Sequence, residues 1–141
     1  MDYEKKMRTI MASFGKSDLG PLMEALHPDV VWKSASREPG LFSFQGKYKN
    51  RAGVIEVLSN ISKNYTFHHI TPKEMTSAGD VVWALCDVKV SYDAKGKGIA
   101  PRLIELEMAV RWTFKDGKVI EHLAFLDTAH LALAQGTLKS V

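Results

Sequence analysis

Between residues 66 and 127 the chain contains four consecutive runs in which apolar and polar side chains alternate with a period of two. Turn signals separate them at Ser77-Ala78-Gly79-Asp80, at Ala94 to Gly98 and at Asp116-Gly117. A period of two belongs to extended chain, and short breaks between such runs join them as antiparallel hairpins. This pattern limits the fold more than any other feature. In "VVWALCDVKVSYD", residues 81 to 93, one face takes Val81, Trp83, Leu85, Asp87, Lys89 and Ser91; the other takes Val82, Ala84, Cys86, Val88, Val90 and Tyr92. Only the second is uniformly apolar, so it faces the core. On the third run the same test selects Leu106, Met108, Val110, Trp112 and Phe114 over Glu105, Glu107, Ala109, Arg111 and Thr113. On the last run Ile120, His122, Ala124 and Leu126 alternate with Val119, Glu121, Leu123, Phe125 and Asp127, and neither face is clean.

The first half has a different period. Met7, Ile10, Met11 and Phe14 follow helical spacing up to Gly15. Ser17-Asp18 offers an N-cap for a second helix through Leu19, Leu22, Met23 and Leu26, which stops before Pro28. "DVVW", residues 29 to 32, reads as a strand leading into a loop of Ser36, Pro39 and Gly40. A third helix takes Ala52 to about Lys63, and "TAHLALAQG", residues 128 to 136, is a short C-terminal helix. Helices followed by a meandering sheet give an α+β domain, residues 1–141, with the helices on one side of a curved sheet.

Composition removes several classes of function. The formal charge is only +3, the pI is near 9.0 and the basic residues are scattered, so no dense basic stripe exists for nucleic acid. One cysteine rules out an internal disulfide, and no run of about 18 apolar residues is present to cross a membrane. The charged N-terminal stretch lacks a secretory pattern, so a cytoplasmic location is expected. His68-His69 places two imidazoles on opposite sides of a strand, which suits no single metal site, and "KGKG", residues 95 to 98, lacks the setting of a phosphate loop. No metal and no cofactor is expected.

Two N-terminal helices, "LMEALHPDVVW" entering the first strand, "GKYKNRAGVIEVL" as third helix, and a closing "FKDGKVIEHLAFLD" hairpin with "ALAQG" behind it resemble the SnoaL-like proteins of the nuclear transport factor two superfamily. The resemblance implies a cone-shaped α+β barrel of the cystatin-like kind, with a mouth for a small apolar molecule and an outer sheet face that often forms a homodimer. It also brings polyketide cyclases, steroid isomerases and epoxide hydrolases into view. Their catalytic positions are mostly altered here. The steroid isomerase positions fall on Ser34, roughly Arg8 and Val110; the epoxide hydrolase positions fall on Cys86, Val88 and Ala124, with Trp32 and Ser34 in place of the water holders. The cyclase aspartate falls on Ala124 or Asp127 according to register, and only the second could serve.

The interior is therefore expected to be apolar where relatives keep carboxylates. The expected pocket comprises Trp32, Ser34, Ala84, Cys86, Val88 and Met108, joined by Val110, Trp112, Ala124 and Leu126. His122 is the main titratable group on that face: either a neutral core histidine bonded to a carbonyl or to Ser34, or a proton donor or base at a ligand carbonyl. Asp127 either caps the last helix or acts as the alternative base. Cys86 reads as a small buried hydrophobe. On the outer face Trp83, Leu85, Leu123 and Phe125 sit among charges, a composition that fits a symmetric homodimer. The expected function is binding of a small apolar organic molecule, with or without isomerase- or cyclase-like proton transfer from His122 and Asp127. The alternative is a non-catalytic ligand-binding or dimerisation module of the same fold.

Overall fold

The computed structural model describes residues 2–34 and 41–137. The expected loop residues Ser36, Pro39 and Gly40 lie outside that range. Helix α1, Tyr3–Gly15, starts at Asp2, whose carboxylate accepts the Lys5 N–H at 3.0 Å, and buries Met7, Ile10 and Met11. Helix α2, Gly20–Ala25, is shorter than its apolar spacing predicts, because strand β1 already begins at Leu26 and runs to Ser34. The register of β1 slips between Leu26 and Val31, and this irregularity accommodates Pro28 inside an extended segment. Asp18 does not cap directly: its carboxylate accepts the Gly20 N–H at 3.1 Å, while Leu19 holds the cap position.

A three-residue strand β2, Lys47–Lys49, precedes helix α3, Asn50–Ser62. Three residues are too few to show alternation, so β2 leaves no sequence signal. Asn50 stands at φ +61 and its side chain accepts the Gly53 N–H at 3.1 Å, which starts the helix two positions before Ala52. Strands β3, Tyr65–Ala78, β4, Val81–Tyr92, β5, Arg102–Lys115, and β6, Lys118–Leu126, follow as consecutive antiparallel neighbours. Asp116 and Gly117 both have positive φ, the signature of a tight primed turn between β5 and β6. Helix α4, Thr128–Gln135, ends at Gly136 with φ +83.

The sheet order is β2-β1-β6-β5-β4-β3, with β1 parallel to β6 and every other pair antiparallel. The cone expected as a barrel is a curled sheet that does not close, since β2 and β3 remain its edges. Bulges bend it: in β3 at Phe67/His69 and Pro72/Glu74, and in β6 opposite Thr113/Phe114 of β5. The last of these resolves the mixed pattern of β6. Phe114 pairs with Val119 and Thr113 with Glu121, so Ile120 is the extra residue and the inward set is Val119, His122, Ala124 and Leu126. The first bulge also leaves both His68 and His69 exposed, whereas simple alternation would part them.

The inward rows of β4 and β5 are those the alternation selects, and the helices cover them. The contact between α1 and β3 is close. A Cβ added at Gly15 would lie 2.9 Å from the Ile70 backbone nitrogen. Replacing a helical glycine by alanine normally adds up to about 1 kcal/mol. Here a backbone atom blocks the methyl group, so Gly15→Ala should cost about 1–3 kcal/mol. Urea unfolding measures this directly, and a variant as stable as the parent would show that the helix can shift freely.

Candidate functional site

Between the helices and the inner sheet face lies a cavity of about 120 Å³. From β1 it takes Trp32 and Ser34, from β6 His122, Ala124 and Leu126, and from β5 and β4 Met108, Trp112 and Val88. Three residues expected in its wall lie elsewhere. Ala84, Cys86 and Val110 are buried but outside the lining. Cys86 Sγ sits 3.8 Å from Met11 Sδ, and burial, aided by nearby Asp87, pushes its thiol up to about 11. Such a thiol stays protonated at neutral pH and is a poor nucleophile.

Asp127 also lies off the cavity. Its carboxylate accepts the His130 N–H at 3.1 Å and caps α4. Its surroundings are a separate polar surface cleft with His69, Asp87, Glu105, Glu107 and His130. A carboxylate engaged at a helix N-terminus interacts with the helix dipole rather than with a molecule in the cavity.

His122 is 6% exposed and held on two sides. Its ring stacks on Trp32 with centroids 3.6 Å apart and planes 11° from parallel. Its Nδ1 accepts the Trp112 indole N–H at 2.8 Å. An indole nitrogen only donates, so Nδ1 must be unprotonated and the neutral ring carries its proton on Nε2. Burial lowers its pKa to about 3, so the ring remains neutral across ordinary pH. The partner is therefore neither a carbonyl nor Ser34. Among the described residues Nε2 has no hydrogen-bond partner, yet it is not sealed away. The cavity wall thus presents a fixed, uncharged donor.

The helices add Ile10, Met11 and Phe14 of α1, Leu22 of α2, Ile61 of α3 and Leu131 of α4 to the wall. Their spacing marks them as buried, but nothing in a helical stripe distinguishes a cavity wall from solid core. Tyr65 is another lining residue absent from the expected set, as are Leu22, Phe44, Phe67 and Ile70. The Tyr65 hydroxyl donates to Gln135 Oε1, and Gln135 Nε2 donates to Leu41 O at 3.0 Å and to Thr137 Oγ1 at 2.8 Å. Desolvation raises the Tyr65 pKa further above its ordinary value, with Tyr92 adding to it. A buried Gln in a helix otherwise rich in alanine and leucine is the one signal that could have revealed this bridge.

No carboxylate lines the cavity among the described residues. Lys73 Nζ pairs with Asp87 at 3.2 Å and Glu107 at 2.8 Å on the outer face. Lys33 Nζ meets Glu121 at 3.2 Å, and Arg111 pairs with the same carboxylate beside Trp83. Partial burial would raise the Glu121 pKa, but hydrogen bonds from Arg111 and Lys33 outweigh it and hold the carboxyl below its ordinary value. Among the described residues no helix is long and apolar enough to cross a membrane.

Helices packed on one face of a curled six-stranded sheet, around a cavity that opens among them, define the nuclear transport factor two-like class. The chain belongs to the SnoaL-like domain family, whose pattern matches residues 7–122. An NTF2-like protein of unknown function from Burkholderia pseudomallei superposes with a TM-score of 0.78 at 19% identity, covering 93% of this chain and 95% of that one. A candidate SnoaL-like polyketide cyclase from Shewanella putrefaciens gives 0.76 at 13% identity, with 96% of each chain covered. TerC co-crystallised with polyporic acid gives 0.74 at 22% identity, covering 93% of this chain and 98% of that one. At such identities the likeness concerns the fold. No curated protein matches the sequence.

Proposed function

We propose that this SnoaL-like domain binds a small, largely apolar organic molecule in the cavity, with His122 acting as a neutral hydrogen-bond donor and not as a base. The observation that carries this reading is the Trp112 indole bond to Nδ1, which leaves the imidazole proton on Nε2 in an apolar wall. A base at Nε2 would need the other tautomer, and that tautomer sets two N–H groups against each other. Isomerase- or cyclase-like proton transfer by the pair His122 and Asp127 is disfavoured for the same reason, and because Asp127 serves the helix. Co-crystallisation of TerC with polyporic acid is consistent with small-molecule binding in this fold.

The cavity is of a size that takes one aromatic ring, as engineered apolar cavities of about 150 Å³ do. Burying roughly 200 Å² of apolar surface contributes about 5 kcal/mol, which corresponds to a Kd on the order of 0.1–1 mM. Titration of single-ring aromatics, followed through the fluorescence of Trp32 and Trp112, should saturate in that range. Ala124→Phe fills the cavity and should abolish binding while the fold, read by circular dichroism, persists. Failure of every single-ring compound to bind the parent protein would sink the reading.

A second copy of the chain is proposed as the partner, docked on the outer sheet face. Trp83 and Phe125 remain 38% and 46% exposed there. Three cations, Lys33, Lys73 and Arg111, face three anions, Asp87, Glu107 and Glu121, so two such faces meet without net repulsion. Sedimentation should give twice the chain mass of 15.7 kDa. Phe125→Glu should return it to one chain, and a monomeric parent at about 100 µM would exclude this partner, since obligate dimers hold far tighter.

A further inference from the structure

We propose that helix α4 is a flap over the cavity that opens independently of the sheet, held shut by the buried bridge from Gln135 to Tyr65. Such a flap governs entry to the cavity whatever molecule the cavity takes. Helix α4 lies along the half of β5 that β6 leaves unpaired: β6 ends at Leu126, opposite Met108, whereas β5 begins at Arg102. Along that half the Asp127 N–H donates to Glu107 O at 3.4 Å, the His130 ring bonds Glu105 O at 3.0 Å and Arg102 Nη1 donates to Ala134 O at 2.7 Å. From there α4 sends Leu131 into the cavity wall, which Tyr65 also lines.

Little apolar surface holds the helix. Its buried residues are Leu131, Ala132 and Gln135, so Leu131 alone among them is a large apolar side chain, and Leu133 is 42% exposed. Helix α1, by contrast, buries Met7, Ile10 and Met11 and brings Gly15 against the β3 backbone. Segments with few buried apolar contacts open locally, below the free energy of global unfolding. The polar anchors of α4 are of two kinds. The bonds of His130 and Arg102 lie at the surface, where water replaces them as they break. Gln135 is buried, and its closed position is tolerable only while the Tyr65 hydroxyl donates to Oε1 and Leu41 O accepts from Nε2. Deprived of either partner, the amide regains one by swinging out to water. The bridge therefore sets the balance between closed and open α4.

Native-state hydrogen exchange tests the flap. Amides of residues 131–135 should exchange faster than those of the central strands β4 and β5, at rates that mild urea does not change. Tyr65→Phe keeps the ring but strands the Gln135 amide, and should speed α4 exchange about tenfold; Gln135→Ala should do the same. Gly15→Ala weakens the contact of α1 with β3, so it should speed exchange in the central strands and leave α4 unchanged. Access to the cavity is read from the thiol of a Val90→Cys variant in a Cys86→Ala background, since Val90 is 3% exposed and lines the cavity. Its labelling by an aromatic disulfide reagent should quicken about tenfold with Tyr65→Phe and not respond to Gly15→Ala. Exchange in α4 that accelerates with Gly15→Ala in step with the central strands means that the helix opens only with the whole fold, which overturns the flap. Thiol labelling that ignores both bridge variants means that opening α4 does not uncover the cavity, and overturns it equally. The Gly15→Ala contrast decides the matter even where a bridge variant fails to fold.

Discussion

Between pH 7 and pH 4 the protein should lose about 3 kcal/mol of folding stability through His122 alone. Burial holds its folded pKa near 3, against about 6.5 for an ordinary histidine. The unfolded chain therefore binds a proton that the folded one refuses throughout the interval between those values. The contribution is fully present above about pH 6.5, shrinks by about 1.4 kcal/mol for each unit of falling pH, and levels off near pH 3. Carboxylates such as Glu121, held below its ordinary pKa, add their own acid lability at lower pH, so the parent profile alone does not isolate the histidine. His122→Gln does. Its amide oxygen can still accept the Trp112 N–H, but the side chain does not titrate. Urea midpoints measured from pH 7 to pH 4 should fall less steeply in the variant by close to one proton. Parallel profiles would mean that His122 is solvated and charged in the folded state, and the fixed-donor argument would fall with that result.

The second large effect concerns Trp112, which is 3% exposed and bonded to His122. Trp112→Ala removes a buried aromatic and should cost about 3–5 kcal/mol. Trp112→Phe keeps most of the apolar volume but leaves His122 Nδ1 without its donor, for which about 1–3 kcal/mol is expected. The two variants separate packing from polar satisfaction. The phenylalanine variant also frees the tautomer, so the imidazole nitrogens should exchange roles in 15N spectra. If Trp112→Phe unfolds at the parent's urea concentration and keeps the same Nε2 signal, the indole does not set the tautomer.

The interior faces of β4 and β5 were legible because each strand has one apolar row and one charged row, and only one can be buried. Strand β6 was not legible, since a bulge opposite Thr113 and Phe114 shifts its register, and pairing across strands leaves no mark in either strand alone. The same limit explains β2, the parallel contact of β1 with β6, and the open edge where a closed barrel was expected. At the site, His122 stood out as a lone imidazole among apolar neighbours. Its partner did not, because Trp112 is ten positions away on the facing strand and becomes its neighbour only through the β5–β6 ladder.

Sequence alone thus determined the α+β class and the inward rows of the central strands. Those follow from local periodicity and residue type, which act within a few positions of each side chain. Tertiary structure decided which buried residues border the cavity and which do not, as with Ala84, Cys86 and Val110. It also assigned Asp127 to a helix cap and gave His122 its tautomer. These depend on distances between segments remote along the chain, and a hydrogen bond is made or missed within a few tenths of an ångström.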